Sequence, residues 1–236
     1  MLALIINIYE GEQHLIELLH IRPYVDVCIA VTQKVSYNGE YYDEGHSMAK
    51  GLYPLINKVV EFVPDLSLSP RQNETIKRNL GIKTALELGA TYFLDCDSDE
   101  VFEPKQFQKA KKNVIEGGYD SSACHFRTYY YSKDYVVDPP EIHYVPFIHR
   151  LTPQTMTGST FYPVSYVDET RKISPANNIY VFEREELEMH HYSLVRENMG
   201  LKLRNSSAQL KDVPKLLRDF NSFPKKLIFH EGVKRI

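Results

Sequence analysis

Four carboxylates stand within six consecutive positions near the middle of the chain. The run reads Asp95-Cys96-Asp97-Ser98-Asp99-Glu100, and it closes an apolar segment that begins at Thr91. Carboxylates packed together repel one another unless a cation neutralises them. Oxygen ligands of this kind suit Mg²⁺ or Mn²⁺, which proteins bind through one or two carboxylates together with the phosphates of a substrate. The run therefore predicts a metal–diphosphate site; the alternative is an acidic turn at the start of the next helix, where Asp and Glu are also favoured.

Two adjacent histidines, His190 and His191, are candidates for a further metal ligand. The segment Tyr192–Ser207 repeats apolar side chains at every fourth position, which predicts a helix that begins just after the pair. The positive partial charge of a helix N-terminus favours neutral imidazole, which keeps a lone pair for a metal. We favour His191 over His190; the alternative is one surface and one core histidine. Arg196 and Lys202 could neutralise a diphosphate or lie on solvated helix surface.

Alternating strands and helices in the first half must position these groups. The strand candidates are continuous apolar runs, as expected of strands covered on both faces: Leu2–Tyr9, Val25–Thr32, Lys58–Val63 and Thr91–Cys96. The helix candidates are Gly11–His20, Met48–Ile56, Ser69–Leu88 and Pro104–Glu116. Ser69 is a good N-cap, Pro70 a good first helical residue and Gly89 a good terminator. This order predicts an α/β fold with a mostly parallel, Rossmann-like sheet and helices on both faces, and ligands bind such sheets beyond the carboxyl ends of the strands.

After residue 120 the segments become short, β-rich and interrupted by prolines. The predicted strands are Ser121–Tyr131, Ile142–Arg150, Tyr162–Val167 and Ile179–Phe182, and a last short helix is predicted at Val213–Phe220. They indicate a mixed, antiparallel second half. We predict one domain over 1–236, in which 1–118 bind the ligand and 119–236 end in basic helices.

The acidic run and its surroundings resemble family 2 glycosyltransferases of the GT-A fold, which carry a DxD signature. Residues 97–104 (DSDEVFEP) are similar to the signature and its flank, and residues 77–82 (KRNLGI), with Ala85 and Gly89-Ala90, to the helix before it. Residues 5–12 (IINIYEGE) are similar to the family's first strand and turn, and residues 189–196 (MHHYSLVR) resemble a C-terminal segment of some small members.

This resemblance implies a metal-dependent enzyme that moves a sugar from a nucleotide-diphosphate sugar, with a UDP-sugar as first candidate, to a hydroxyl acceptor. Carried over, Asp97 and Asp99 hold Mn²⁺ or Mg²⁺ against the diphosphate, because Glu100-Val101-Phe102 follows them in the family's register. Asp95 competes for this role and could instead face the ribose or a metal-bound water. A histidine of the His190-His191 pair would be the third protein ligand. The residues assigned to donor binding are Asn7, Tyr9, Glu10, Thr32, Gln33, Arg78, Asn79, Asp95, Arg196 and Lys202.

The nucleotide base stays open, because many members have an aspartate for uracil at the end of the second strand. Here that segment reads Ala30-Val31-Thr32-Gln33. Transfer with inversion, which the resemblance favours, also needs a group that takes the proton of the attacking hydroxyl. Asp168 is the first candidate and Glu141 the second, and either could be a solvated loop charge. The loop Gln33–Gly45 is a candidate lid over the donor or acceptor.

Composition limits the remaining classes of function. With 43% hydrophobic and 25% charged residues, the 236-residue chain reads as a soluble globular protein. Its longest apolar run, Leu2–Ile8, is far short of the ~20 residues of a membrane helix, so no stable membrane insertion is expected. Three scattered cysteines favour a reducing compartment, so we expect a cytoplasmic protein.

Charge is unevenly spread, since residues 196–236 hold 10 Lys and Arg against 4 Asp and Glu. A basic end suits an anionic acceptor. In size and layout the chain also resembles phage enzymes that glycosylate hydroxymethylated DNA bases, and this resemblance adds such bases to glycans and lipid-linked saccharides as candidate acceptors. The alternatives are a metal-dependent nucleotidyltransferase and a non-catalytic binder of nucleotide-sugars or nucleic acid. A nucleotidyltransferase would usually have a glycine-rich, basic loop early in the chain, whereas the first turn here is acidic and holds one glycine. The acidic cluster argues against a plain nucleic-acid module, which would be basic over its main surface. The sequence leaves the sugar, the acceptor, the stereochemistry and the oligomeric state open.

Overall fold

A computed structural model of the chain describes residues 1–9, 12–41, 51–206, 213–223 and 232–236. The strands are β1 (Leu2–Ile8), β2 (Val27–Thr32), β3 (Lys58–Glu61), β4 (Tyr92–Asp97), β5 (Glu100–Phe102), β6 (Ser121–Tyr130), β7 (Ser132–Val137), β8 (Tyr144–Arg150), β9 (Met156–Thr157), β10 (Ile173–Ser174), β11 (Ile179–Val181), β12 (Glu188–Leu194) and β13 (Val233–Arg235). The α-helices are α1 (Leu15–Leu18), α2 (Pro70–Glu87), α3 (Pro104–Glu116), α4 (Met199–Arg204) and α5 (Val213–Ser222).

Within these ranges, eleven strands form one sheet whose main path runs β13-β7-β6-β8-β4-β1-β2-β3. Strands β4, β1, β2 and β3 are parallel, whereas β8 is antiparallel to β4, and β6 is antiparallel to both β8 and β7. Strands β11 and β12 add to β6 in parallel, and β12 also pairs antiparallel with β5. A parallel first half that continues into a mixed second half confirms the predicted α/β class and gives the layout that the GT-A resemblance implies.

Helices cover both faces of the parallel strands, because successive side chains of β1 point to opposite sides. Leu4 and Ile6 belong to a core cluster that includes residues of α1 and α3, and Ile5 belongs to a second cluster with residues of α2. Helix α2 lies so close to the sheet that a Cβ on Gly81 would approach Cγ2 of Ile5 to 2.5 Å. Only glycine allows this contact without a shift of the helix.

Local sequence signals set the bounds of α2 as predicted. Ser69 and Gln72 form a capping box, in which the Ser69 hydroxyl accepts from the Gln72 N–H and the Gln72 side chain accepts from the Ser69 N–H. Gly89 follows the helix with a φ of +81°, a conformation that favours glycine. Helix α3 also has the predicted bounds.

The helix predicted at Tyr192–Ser207 is wrong. Residues 188–194 form β12 between β5 and β6, and within the described part of the predicted helix the helical residues are those of the short α4, which begins at Met199. Two neighbouring strands satisfy the backbone hydrogen-bonding groups of β12. This long-range pairing overrides the preference for a helix that the four-residue apolar period indicates. Helix Val213–Phe220 was predicted correctly and extends to Ser222.

Three smaller predictions also change. The predicted strand Tyr162–Val167 is reduced to a single bridge between Tyr144 and Val167. The Gly11–His20 segment splits, within the described residues, into 3-10 turns on either side of α1. Of the predicted helix Met48–Ile56, residues 48–50 lie outside the described ranges, and the rest contains the 3-10 turn Tyr53–Leu55. None of the described helices is both long and apolar enough to cross a membrane.

Candidate active site

The candidate site lies where β1 and β4 end. Asn7 of β1 is opposite Asp97 of β4, and the sheet continues through β2 and β3 on one side of this pair and through β8 on the other. Open α/β sheets bind ligands outside the carboxyl ends of strands at such a switch point. A pocket of about 130 Å³ opens here. It is lined by eight of the residues predicted from the sequence: Asn7, Tyr9, Arg78, Asp97, Asp99, His191, Arg196 and Lys202.

Asp97 presents its carboxylate to the pocket, with 36% of the side chain exposed. The Arg78 guanidinium lies 3.2 Å from one carboxylate oxygen, and Arg171 Nη2 lies 2.7 Å from the other. Burial opposes ionisation, but the charges of Arg78 and Arg171 outweigh it and hold the pKa of Asp97 well below its usual range. Asp97 is therefore an ionised carboxylate at neutral pH that remains open to a ligand.

Asp99 is enclosed instead, with 3% of its surface exposed. Its carboxylate pairs with Arg196, and Lys202 Nζ lies 3.9 Å away. Burial again opposes ionisation, but Arg196 and Lys202 prevail and lower the pKa of Asp99 to about 2. The predicted pair Asp97 and Asp99 thus share one pocket while only Asp97 keeps an open side.

Asp95 lies behind the pocket and does not line it. One of its carboxylate oxygens accepts from Asn7 Nδ2 at 2.6 Å, and the other accepts from Arg78 Nη1 at 2.7 Å. Burial raises the pKa of Asp95, although Arg78 and Arg171 act against it. In this structure Asp95 positions two pocket residues, Asn7 and Arg78.

Arginines neutralise the acidic run, and one of them, Arg171, was missed in the sequence. Arg171 comes from the second half of the chain, donates to Glu100 through Nη1 at 2.6 Å, and also reaches Asp97. Its Nε lies 3.2 Å from Asp168. The sequence shows that the acidic run requires positive charge nearby, but no local pattern identifies Arg171 as the residue that supplies this charge. Lys77, Glu74, Tyr37, Asn205 and Ser206 also line the pocket and were not predicted as site residues.

The two histidines of β12 point in different directions, as neighbours on a strand do. His191 lines the pocket, and burial lowers its pKa, although Asp99 acts in the opposite sense. His190 forms a 2.7 Å hydrogen bond to the Tyr129 hydroxyl instead. Burial, rather than a helix N-terminus, therefore keeps the imidazole of His191 neutral.

The fit of a divalent ion is decided by the donor set of the pocket. Asp97 offers carboxylate oxygen, which suits Mn²⁺ and Mg²⁺, and His191 offers a neutral imidazole, a ligand of transition metals that Mn²⁺ accepts more readily than Mg²⁺ does. Within the described ranges, no three His, Cys, Asp or Glu side chains are grouped so that they could enclose a metal. Such ions are often held by one or two side chains and the phosphates of a substrate. The residues present fit that shared mode rather than a cage made by protein alone.

Asp168 lies next to this pocket, in a larger cleft that it lines together with Asp97 and His191. Burial opposes ionisation, but Arg171, Arg78 and the hydrogen bonds from Thr170 leave the pKa of Asp168 lowered. The carboxylate is thus ionised at neutral pH, and its lowered pKa makes it a weaker proton acceptor than an unpaired aspartate. Glu141, the second candidate base, accepts from the Thr128 N–H at 3.4 Å and lines neither the pocket nor the cleft.

Three of the remaining donor-binding candidates, Thr32, Gln33 and Asn79, lie outside the pocket. Thr32 and Gln33 are buried at the end of β2, where their side chains donate to the carbonyls of Val60 and Val35. The Asn79 side chain accepts from the N–H and hydroxyl of Thr157. Glu10 and the last part of the candidate lid Gln33–Gly45 fall outside the described residues.

Comparison with known proteins finds similarity in structure only. Neither a protein-family model nor a curated protein matches this sequence. The structure of S. aureus TarS 1-349 aligns over 95% of this chain and 72% of its own, with a TM-score of 0.48 and 16% identity. The same protein in complex with UDP-GlcNAc aligns over 54% of this chain and 34% of its own, with a TM-score of 0.40 and 18% identity.

A third similar structure is a mannose-1-phosphate geranyltransferase from Thermus thermophilus, with a TM-score of 0.35 and 15% identity. It aligns over 64% of this chain and 50% of its own. This chain therefore covers half or less of two of the three chains. At these identities the likeness concerns the course of the backbone, and the function is inferred from the site itself.

Proposed function

We propose that this chain is a glycosyltransferase that moves a sugar from a nucleotide-diphosphate sugar, with a UDP-sugar as first candidate, to a hydroxyl acceptor. One observation carries the proposal. An open carboxylate, Asp97, and the three cations Arg78, Arg196 and Lys202 surround one small pocket at the carboxyl ends of parallel strands. Such a mixture of charges suits a diphosphate bound together with a divalent ion, because the cations contact phosphate oxygens and the carboxylate contacts the metal.

Unpaired polar atoms in the pocket support a polar ligand. Nη1 of Arg196 and the side-chain oxygens of Asn7 and Asn205 are buried without a hydrogen-bond partner among the described residues. Buried polar groups without partners are rare, so a ligand that pairs with them is a direct explanation. Arg196 can donate to a phosphate oxygen, and the two amide oxygens can accept from sugar or ribose hydroxyls. At about 130 Å³ the pocket is smaller than sites that enclose whole small molecules, so we place only the diphosphate region in it.

We propose Mn²⁺ or Mg²⁺ as the cofactor, held by Asp97 and His191 with the diphosphate completing its coordination. When bound, the ion would neutralise charge that develops on the leaving diphosphate. Arg78 and Arg171 orient the Asp97 carboxylate, and Asp99 keeps Arg196 and Lys202 beside the pocket. Asp168 would take the proton of the acceptor hydroxyl, because it is ionised and lines the adjoining cleft.

A donor screen tests this proposal. The chain is incubated with UDP-, GDP- and dTDP-sugars and Mn²⁺, with and without EDTA, and the released products are identified by chromatography. We expect a nucleoside diphosphate to be released, and we expect EDTA to suppress the release. A nucleotidyltransferase acting on a sugar phosphate and a nucleoside triphosphate would release pyrophosphate instead.

Asp97→Asn should reduce nucleotide release at least about 100-fold, the scale of losing one preorganised charged contact at a reacting centre. Asp134→Asn is the matched control, since Asp134 is exposed on β7, away from the pocket. Circular dichroism shows whether both variants are folded. Full activity of Asp97→Asn, or turnover that EDTA leaves unchanged, contradicts the proposed metal site.

A further inference from the structure

A second, larger cleft adjoins the diphosphate pocket. Its volume is about 890 Å³, within the range of sites that enclose whole small molecules. Asp97, His191 and Lys202 line both cavities, so the two are continuous. A molecule bound in the cleft therefore reaches the group that we assign to the metal and diphosphate. This position is where an acceptor has to lie.

The two ends of the cleft differ in chemistry. The end near the pocket is polar and includes Asp168, Thr170 and Arg171. The far end is apolar and is built from four strands and two helices; its apolar lining residues are Tyr130, Val137, Leu194, Met199, Leu203, Leu216, Phe220 and Val233. A ligand that fills the cleft thus meets polar groups at one end and hydrocarbon at the other.

At the apolar end, some side chains are packed against one another and another is exposed to solvent. Met199, Leu203 and Phe220 pack together from α4 and α5 and are almost fully buried. Leu216, one turn before Phe220 on α5, also lines the cleft, and 40% of its surface is exposed. Exposed apolar surface in a concave site stabilises a complex when a ligand removes that surface from water.

The charges of the cleft do not suit a polyanion. Among the described lining residues, carboxylates outnumber the lysine and arginine side chains by five to three. The carboxylates are Glu74, Asp97, Asp168, Glu169 and Asp219, and the cations are Arg71, Arg171 and Lys202. Nucleic acid binds through several phosphate contacts to cations, which this lining does not offer in excess. Of the lysine and arginine residues of 196–236 that the structure describes, Lys202 lines the cleft.

We propose that the acceptor is an uncharged amphipathic glycoside, with its sugar at the polar end and a hydrocarbon chain along α4 and α5. The inference rests on the proposed glycosyltransferase function and names its acceptor class. In the transfer step, an acceptor hydroxyl oxygen forms the new bond to the anomeric carbon while the bond from that carbon to the diphosphate oxygen breaks. The hydroxyl proton passes to the Asp168 carboxylate, and the nucleoside diphosphate leaves with the electron pair of the broken bond.

Binding of alkyl glucosides tests the inference without any turnover. The chain is titrated with butyl, hexyl and octyl β-glucoside below their micelle concentrations, and affinity is measured by calorimetry. A methylene that is fully buried strengthens binding about fourfold. We expect affinity to rise at least about tenfold from butyl to octyl glucoside. Affinities that agree within twofold across the series overturn the inference.

Leu216→Ser should remove most of this dependence on chain length, whereas Leu55→Ser should leave it intact. Leu55 is the matched control because it has similar exposure, 44%, and does not line the cleft. If glucoside affinity depends equally on alkyl chain length in both variants, the placement of the hydrocarbon chain along α5 is overturned. Displacement of octyl glucoside by duplex DNA would also overturn it and favour a polyanionic acceptor.

The donor screen keeps this inference separate from the proposed function. If no sugar nucleotide is cleaved but octyl glucoside binds in a manner that depends on Leu216, the cleft assignment stands and the transferase proposal fails. If a sugar nucleotide is cleaved while chain length has no effect on glucoside affinity, the transferase proposal stands and the acceptor class is wrong.

Discussion

Arg171 connects three carboxylates that come from two distant parts of the sequence. It contacts Glu100 and Asp97, which lie 71 and 74 positions before it, and its Nε lies 3.2 Å from Asp168. Arg171 and Glu100 are almost completely buried. Removing one partner of a buried ion pair leaves an uncompensated charge, which is much more costly than losing a surface pair. Arg171 therefore holds Asp97, the carboxylate that we propose as a metal ligand, and the candidate base Asp168 in one charge network.

Arg171→Met should lower the free energy of unfolding by about 3–5 kcal/mol, because Glu100 is left buried beside other carboxylates. Adding Glu100→Gln should recover at least about 1 kcal/mol of this loss, since the amide carries no charge. Urea unfolding at pH 7 measures both effects. The control is Arg204→Met, whose ion pair with Glu40 is largely exposed and should contribute little to stability. A loss in Arg171→Met no larger than in the control would contradict the role of Arg171.

At the scale of elements, β12 decides which histidine reaches the pocket. The strand pairs with β5 and β6, and its side chains alternate between the two sides of the sheet. His191 is directed to the pocket and His190 to Tyr129. A helix at this position would have placed both histidines near its first turn and left the choice open.

His191→Ala should raise the Mn²⁺ concentration needed for half-maximal nucleotide release by at least about tenfold, because it removes a proposed ligand. His190→Ala is the matched control on the same strand. It loses the hydrogen bond to Tyr129 and should cost about 1 kcal/mol of stability, with the Mn²⁺ response unchanged. A titration of activity against Mn²⁺ separates the two variants. The same Mn²⁺ response in both would remove His191 from the metal site.

At the scale of the whole molecule, a buried network away from the site joins the two halves of the sheet. Nδ1 of His149 on β8 lies 2.8 Å from the Ser121 hydroxyl of β6, which in turn lies 2.8 Å from the Tyr162 hydroxyl. His149 also lies beside Phe93 of β4, with ring centroids 5.0 Å apart. Burial lowers the pKa of His149 to about 3, so the folded chain keeps it neutral where an unfolded chain protonates it.

This difference predicts how stability depends on pH. Between the unfolded pKa of about 6.5 and the folded pKa of about 3, the unfolded chain binds one more proton at this site, so stability falls as the pH falls. From pH 7 to pH 5, His149 should contribute about 2 kcal/mol to that fall. Urea unfolding of wild type and His149→Gln at both pH values measures it. The variant, although less stable, should lose about 2 kcal/mol less between the two pH values; an equal loss would show that His149 is not held neutral.

Elements with local signals were predicted closely, and those that depend on distant partners were not. Helix α2 was anticipated from Ser69, Pro70 and Gly89, because a capping box and a glycine terminator act within a few residues. Segment 192–207 was assigned to a helix because its apolar period is local, whereas the pairing of β12 with β5 and β6 joins strands far apart in the chain.

The candidate site divides in the same way. The sequence alone determined that an acidic run ends a buried strand and that such a run needs positive charge nearby. Only the tertiary structure decided which groups supply it, that Asp97 rather than Asp99 or Asp95 stays open, and that an apolar-ended cleft adjoins the pocket. The physical reason is the sequence separation over which each interaction acts. Caps, turns and strand periodicity depend on residues that are neighbours along the chain. Ion pairs such as the one between Arg196 and Asp99, 97 positions apart, exist only once the sheet has brought their strands together.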